Sequence, residues 1–292
     1  MERERGSVLV SVLALGALLG VLAAIASTVV HAAFGSSRTF ADNIRAEVAA
    51  RSAVEQLIAD SAGSEQIAAY STLTLGNVQV LARATDEAAR VDLNSAPIDL
   101  IAGVFRIVGI EEDEAKRFAA RVVDWRDEND RPVEGGAERD AYRSAGRVDG
   151  PGNRPFAHVA ELSRVLGIPV GVAAAAAPYF TVASRLNRLN PMLAEPILLL
   201  ALPGVSSAKA QDFLKARDTL PLPFDKIVTR LGAVEKYVTD DQGAAVKVDI
   251  DVALGPGGQR HFEAIVARGD KEEPYRVVGW QAGTPRVRRE LP

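Results

Sequence analysis

A chain of 292 residues with 34 Lys/Arg against 38 Asp/Glu carries a net charge of -4, and 48% of its residues are apolar. That supplies core material for one large or two small globular units, and the acid excess gives no general basic field for nucleic acid. Lack of cysteine excludes disulfides, thiolate metal sites and thiol catalysis. The three histidines (His31, His158 and His261) are scattered, and no GxSxG, HExxH or P-loop spacing occurs, so the chain does not read as an enzyme.

The first element is an uncharged run from Ser7 to Ser37 behind the short leader MERERG. Its apolar part, Val8 to Val30, would be roughly 34 Å long as a helix, enough to cross a bilayer's hydrocarbon core. Arg3 and Arg5 precede it, so the positive-inside rule keeps the N-terminus in the cytoplasm and sends the rest across the membrane. With Gly6 as the last residue before the run, the segment resembles a prepilin leader, cut after Gly6 to leave Ser7 first and the apolar helix in place. A plain membrane anchor and a removed signal peptide ending near His31-Ala32-Ala33 are the competing readings.

Apolar residues then recur at Phe40, Ile44, Val48, Val54, Leu57 and Ile58, which continues the same helix as an amphipathic one with Gly63 as its stop. Asn77 to Ala84 and Ala89 to Leu93 read as two short strands joined by Thr85 to Ala88. Helices are predicted at Pro97–Phe105, Glu111–Trp125, Phe156–Leu166, Pro191–Ala201 and Ser207–Arg217, with a loop from Asp127 to Pro155. Three strands close the chain. Ala244–Leu254 alternates cleanly, and Gln259–Arg268 and Tyr275–Gln281 follow glycine-rich turns. The order predicts an α+β fold: a long N-terminal helix packed on a small antiparallel sheet, interrupted by a large all-α insertion.

Two segments of that insertion, from Val91-Asp92-Leu93-Asn94 and from Leu189-Asn190-Pro191, have the form asparagine cap, helix, glycine hairpin, helix. They resemble helix-hairpin-helix units, a motif frequent in DNA-binding proteins. The phosphate-binding form needs a second glycine that neither copy has, and Glu111 and Glu112 follow the first hairpin. Residues 91 to 220 hold 16 Lys/Arg against 18 Asp/Glu, whereas a nucleic-acid reader is basic on at least one face. Packing units with Asn94 and Asn190 as caps are the favoured reading.

Asp124, Asp127, Glu128, Asp130, Glu138 and Asp140 fall within 17 residues around Gly135 and Gly136. Hard oxygen donors at such spacing suit Ca²⁺, although the pattern is not an EF-hand. A solvated face with the acids paired to Arg126, Arg131 and Arg139 explains them equally well.

The block DWRDENDRPVEGGAERDAY (Asp124–Tyr142) followed by GNRPFAHVAELSRVLGI (Gly152–Ile168) resembles the minor pseudopilin K family of type II secretion systems. VDLNSAP, the Arg45–Leu57 helix and the leader ending in Gly6 fit the same family. The resemblance implies a pilin-like core divided as a leader (1–6), helix and first strands (7–96), an inserted α-domain (97–220) and closing strands (221–292). It also implies a single-pass inner-membrane subunit with its C-terminal domain in the periplasm, processed by a prepilin peptidase and partnered by other minor pseudopilins at the pseudopilus tip. There it would prime assembly and limit filament length, with no nucleic-acid or small-molecule substrate. After cleavage the fifth residue would be Ser11, where most pilin-like subunits carry a glutamate; family K lacks it, which suits an end position. Calcium binding in the α-domain follows from the resemblance, with Asp127, Asp130 and Glu138 as the expected ligands. The alternative is a membrane-anchored helix-hairpin-helix DNA-binding protein of the competence type.

Overall fold

The computed structural model describes residues 3–61, 67–217, 222–232, 235–255, 258–269 and 275–283. Helix α1 runs from Arg3 to Asp60. Its side chains are described for residues 12–25, 27 and 39–60, so Gly6 and Ser7 lie in its first turns outside that set, and Gly63 lies outside the described residues. At the helix end the Ser61 hydroxyl donates to the Leu57 carbonyl at 2.6 Å and accepts from the Ala68 N–H at 2.9 Å.

The second half of α1 buries Ala46, Ala49, Ala50, Ala53, Val54 and Leu57. This i, i+3, i+4 stripe is mostly alanine, and the small side chains let the helix lie close on the sheet. Of the apolar residues expected on this face by their period, Val54 and Leu57 are buried, whereas Phe40, Ile44 and Val48 are exposed. Among the residues whose side chains are described, no helix is long and apolar enough to cross a membrane. Within the described part of the first half, Val12, Leu13, Leu15, Leu18, Leu19, Val21, Leu22 and Ile25 are all exposed.

Strands β1 (Tyr70–Leu75) and β2 (Val78–Asp86) form a hairpin about Gly76, whose φ of 61° supplies the left-handed turn. The chain returns to the sheet only much later. The final sheet order is β1, β2, then β5, β6 and β7 (Ala245–Ala253, Gln259–Arg268 and Tyr275–Gly283), all antiparallel. Val80, Ala82, Val248, Ile250, Val252, Ala264 and Val266 point to α1, and their alternation fixes the register, since a one-residue slip would turn every one outward. The predicted pairing of 77–84 with 89–93 is corrected. Val91–Asp92 forms β3, which pairs in parallel with β4 (Phe180–Thr181) inside the helical region. The insertion is thus mainly, not wholly, helical.

That region holds α2 (Ile98–Ile107), α3 (Glu112–Arg126), α4 (Arg139–Ser144), α5 (Val170–Ala176), α6 (Ser207–Arg217) and α7 (Phe224–Leu231). Residues 159–164 and 196–201, predicted as α-helix, are 3₁₀ turns. One apolar core unites them, from Val91 to Val238, so boundaries at 97 and 220 cut within it and leave α7 on the wrong side. Its centre is Phe105, edge-on to Phe118 and Phe180 at 5.4 and 5.7 Å.

Both helix-hairpin-helix segments are present as glycine turns, at Gly109 (φ 95°) and Gly204 (φ 82°), but Asn94 and Asn190 do not cap helices. Asn94 exchanges two hydrogen bonds with the Phe156 backbone, and Asn190 donates to the Asp241 carbonyl while accepting from the Met192 N–H. Both bonds of Asn94 and the amide N–H of Asn190 tie distant segments, a use no local pattern specifies, while the Asn190 oxygen closes a local turn. Where the chain leaves and rejoins the sheet, Asp86 accepts from the Ala88 and Gly243 N–H groups and from Arg268, whose guanidinium also reaches the Gly243 carbonyl. This clamp holds the helical region against the sheet.

A candidate metal centre at the end of α3

The last turn of α3 and the first of α4 face each other across a loop. Asp124 lies in that last turn, Asp127 is the residue that ends α3, and Glu138 starts α4. The loop returns so that the Val133 N–H donates to Asp124 Oδ1 at 3.1 Å and Gly136 N–H closes on the Val133 carbonyl. Gly136 is required here, because a Cβ at this position would sit 2.0 Å from Asp124 Oδ2.

Behind the loop, Trp125 stacks on Phe156 at 5.8 Å and lies 6.2 Å from Tyr142, whose hydroxyl accepts from the Leu166 N–H. Both rings are core residues. They exclude water from one side of the acids.

One carboxylate oxygen from each of Asp124, Asp127 and Glu138 lies within 4.8 Å of the others. Asp124 is fully buried and Glu138 nearly so. Asp124 Oδ2, Asp127 Oδ1 and both oxygens of Glu138 are buried without a hydrogen-bond partner, and none of these acids joins an ion pair among the described residues. Arg126, offered by sequence as a counter-charge, instead binds the Leu93 and Ala96 carbonyls.

Three converging, desolvated carboxylates without a cation are electrostatically costly. Burial, with smaller contributions from Asp124, Asp127 and Asp130, pushes the Glu138 carboxyl up to about 7. Burial raises Asp124 as well, against the hydrogen bond from Val133.

Of the three expected ligands, the structure therefore brings Asp127 and Glu138 together and adds Asp124. Asp130 lies on the exposed rim, where it accepts from Asn153 Nδ2 at 3.1 Å and sits 3.8 Å from Arg139. Asn153 Oδ1, buried and unpartnered, comes from a residue held at φ 43°. The available signal for Asp124 was its i, i+3 spacing from Asp127, which puts both on one helix face. The donor set is all oxygen, charged and partly preformed, which fits a hard divalent cation of the calcium class.

A pH dependence follows for the metal-free chain. Glu138 binds its proton more tightly when folded than when unfolded, so the folded state holds more protons between pH about 4.5 and about 7. Stability in chelator should fall as pH rises through that window and then level. Urea unfolding at pH 5, 6 and 7 measures it, and a rise over the same interval would show the opposite sign.

Comparison with known proteins places this site in context. Residues 75–185, which include all three acids, match the family model for type II secretion system (T2SS), protein K. The type II secretion system protein K of Klebsiella pneumoniae is 24% identical over 74% of this chain and 76% of its own length. One chain of the crystal structure of the GspK-GspI-GspJ complex, from the type 2 secretion system of enterotoxigenic Escherichia coli, superposes with a TM-score of 0.59 at 15% identity. The match covers 87% of this chain and 99% of that one.

Proposed function

We infer that this chain belongs to the protein K family of type II secretion systems and acts as a minor pseudopilin, a structural component of the secretion machinery. The observation that carries this is the family match over residues 75–185, which covers the element most specific in sequence, the acidic block ending at Tyr142. The DNA-binding alternative has no support among the relatives, and Glu111 and Glu112 remain at the turn that would have met a phosphate.

Finer statements follow as proposals. The uncharged run from Ser7 to Ser37 supports a single inner-membrane anchor, with the N-terminus cytoplasmic and the folded part periplasmic. The exposed apolar side chains between Val12 and Ile25 support a helix that is solvated by lipid or by neighbouring helices. Assembly with two other minor pseudopilins is supported by the relative crystallised as a GspK-GspI-GspJ complex. Ser11, in place of a buried carboxylate, supports a position at the pseudopilus tip, where the chain would prime assembly and its helical region would stop further subunits from adding. Asp124, Asp127 and Glu138 would hold calcium, which would supply the missing counter-charge.

Co-expression with a prepilin peptidase, followed by N-terminal sequencing, tests the class directly. A new terminus at Ser7 that disappears in Gly6→Val is the expected result. An intact Met1 would return the chain to a plain anchored domain, and cleavage near Ala33 would make it a released exported protein.

A further inference from the structure

The outward face of the sheet carries a second cluster, unrelated to the acids of α3. Asp249 on β5 stands directly opposite Glu263 on β6, and Asp251 stands opposite His261. Like charges facing each other across a ladder are unfavourable unless a cation sits between them. Here Lys247 supplies it: its ammonium is 2.8 Å from Asp249 Oδ1 and 2.6 Å from Glu263 Oε1, and the residue is only 5% exposed. Burial raises the Glu263 carboxyl, but Lys247 and Gln281 outweigh that and hold it below its usual range.

His261 is 7% exposed, and its Nδ1 lies 2.9 Å from Asp251 Oδ1, an acid whose other oxygen is paired with Arg83. With Asp251 held at Nδ1, Nε2 is the ring nitrogen left open to a further partner. Nε2 is buried without a hydrogen-bond partner and lies 3.7 Å from Asp249 Oδ1, which no hydrogen bond of acceptable geometry reaches despite the nearby ammonium. Ligand atoms of Asp249, His261 and Glu263 all fall within 4.8 Å of one another.

A carboxylate that orients a histidine through Nδ1, with Nε2 turned to a further carboxylate and a second one nearby, is the arrangement that metal sites use to fix tautomer and ring angle. We propose that Asp249, His261 and Glu263 bind a divalent transition cation of the zinc class, with Lys247 as the resident cation that the metal displaces. One imidazole and two carboxylates leave a fourth position for water and favour zinc over calcium. The displaced ammonium has a destination. Lys247 lines a cleft of about 840 Å³ together with Glu87, a fully buried acid that pairs with Arg90 through Oε1 and keeps Oε2 unpartnered. The four-carbon stem of lysine permits that swing.

Zinc titrated against a chromophoric chelator into the purified full chain in excess calcium tests this. The expected result is one zinc per chain that calcium does not compete away, weakened about 100-fold or more in His261→Ala and tightened at least about tenfold in Lys247→Met, where no ammonium competes. If Lys247→Met does not fold, cobalt(II) added to the wild-type chain should give the visible absorption of a four-coordinate nitrogen–oxygen site, lost in His261→Gln. Zinc affinity unchanged in His261→Ala, or no specific zinc or cobalt binding by the wild-type chain, would overturn the proposal.

Discussion

Asp124→Asn is expected to reverse its effect on stability with the cation present. In excess calcium the variant should melt well below the wild-type chain, and in chelator it should match or exceed it. The reason lies in the charge balance of the α3 site. Asp124 Oδ2, Asp127 Oδ1 and the Glu138 oxygens converge without hydrogen bonds, so a bound cation turns mutual repulsion into attraction. At a hundredfold excess over its dissociation constant, a ligand specific to the folded state adds about 2.7 kcal/mol, equivalent to roughly 5–10 °C in a unit of this size.

Without the cation, the Asp124→Asn substitution removes one of three repelling charges, while the new amide oxygen can still accept from the Val133 N–H as the carboxylate does. Asp130→Asn should leave the calcium response nearly intact, because its carboxylate lies on the exposed rim with Asn153 and Arg139. Calorimetric melting of the three chains with calcium and with EDTA decides it. An equal calcium shift in wild type and Asp124→Asn would remove the site.

The second large effect is expected at Gly103. Replacing a glycine in the interior of a helix with alanine ordinarily stabilises by about 1 kcal/mol. Gly103 sits in the middle of α2, yet a Cβ there would lie 1.9 Å from the Ala201 carbonyl oxygen and 2.7 Å from its carbon. Both are backbone atoms and cannot turn aside, so α2 and the 196–201 turn must separate.

Gly103→Ala should therefore destabilise by about 3 kcal/mol. Since α2 also packs on α3, calcium affinity should weaken with it. Gly171→Ala is the control. It lies within α5 with nothing within 4 Å of the added methyl, and should raise stability by about 0.4–1 kcal/mol. Denaturant midpoints of the two variants should move in opposite directions; movement in the same direction would mean that the contact with Ala201 is not what keeps Gly103 a glycine.

Local periodicity made part of this architecture legible. Val246, Val248, Ile250 and Val252 alternate so cleanly that β5 could be placed within a residue or two, and α3 was bounded to one residue by its acidic start. Strand β1, Tyr70–Leu75, is short and has half its residues Ser or Thr, so its identity as a strand is decided by its pairing with β2. On α1 the period placed Val54 and Leu57 in the core correctly, but not the residues before them. Phe40, Ile44 and Val48 carry more apolar surface than the alanines, but a sheet laid close against a helix selects small side chains.

The acidic block is visible as composition, and two of its three converging members, Asp127 and Glu138, are among the ligands expected from sequence. Asp124 was missed in favour of Asp130 because spacing along a loop does not say where the loop turns back. That choice is made by Gly136 and by the Val133 N–H that draws the loop onto Asp124.

Features that depend on neighbours along the chain were readable from the residues alone. These are the uncharged N-terminal run, the alternating strands, the glycine turns and the family to which the acidic block points. Three others emerge only in the folded chain: which carboxylates meet, why Asn94 and Asn190 tie distant segments rather than cap helices, and how Lys247 and His261 come to meet at Asp249 across a ladder. Local propensity is set by steric and hydrogen-bond preferences within a few residues. Convergence of charges depends instead on which distant surfaces pack, and that is settled by the whole core at once.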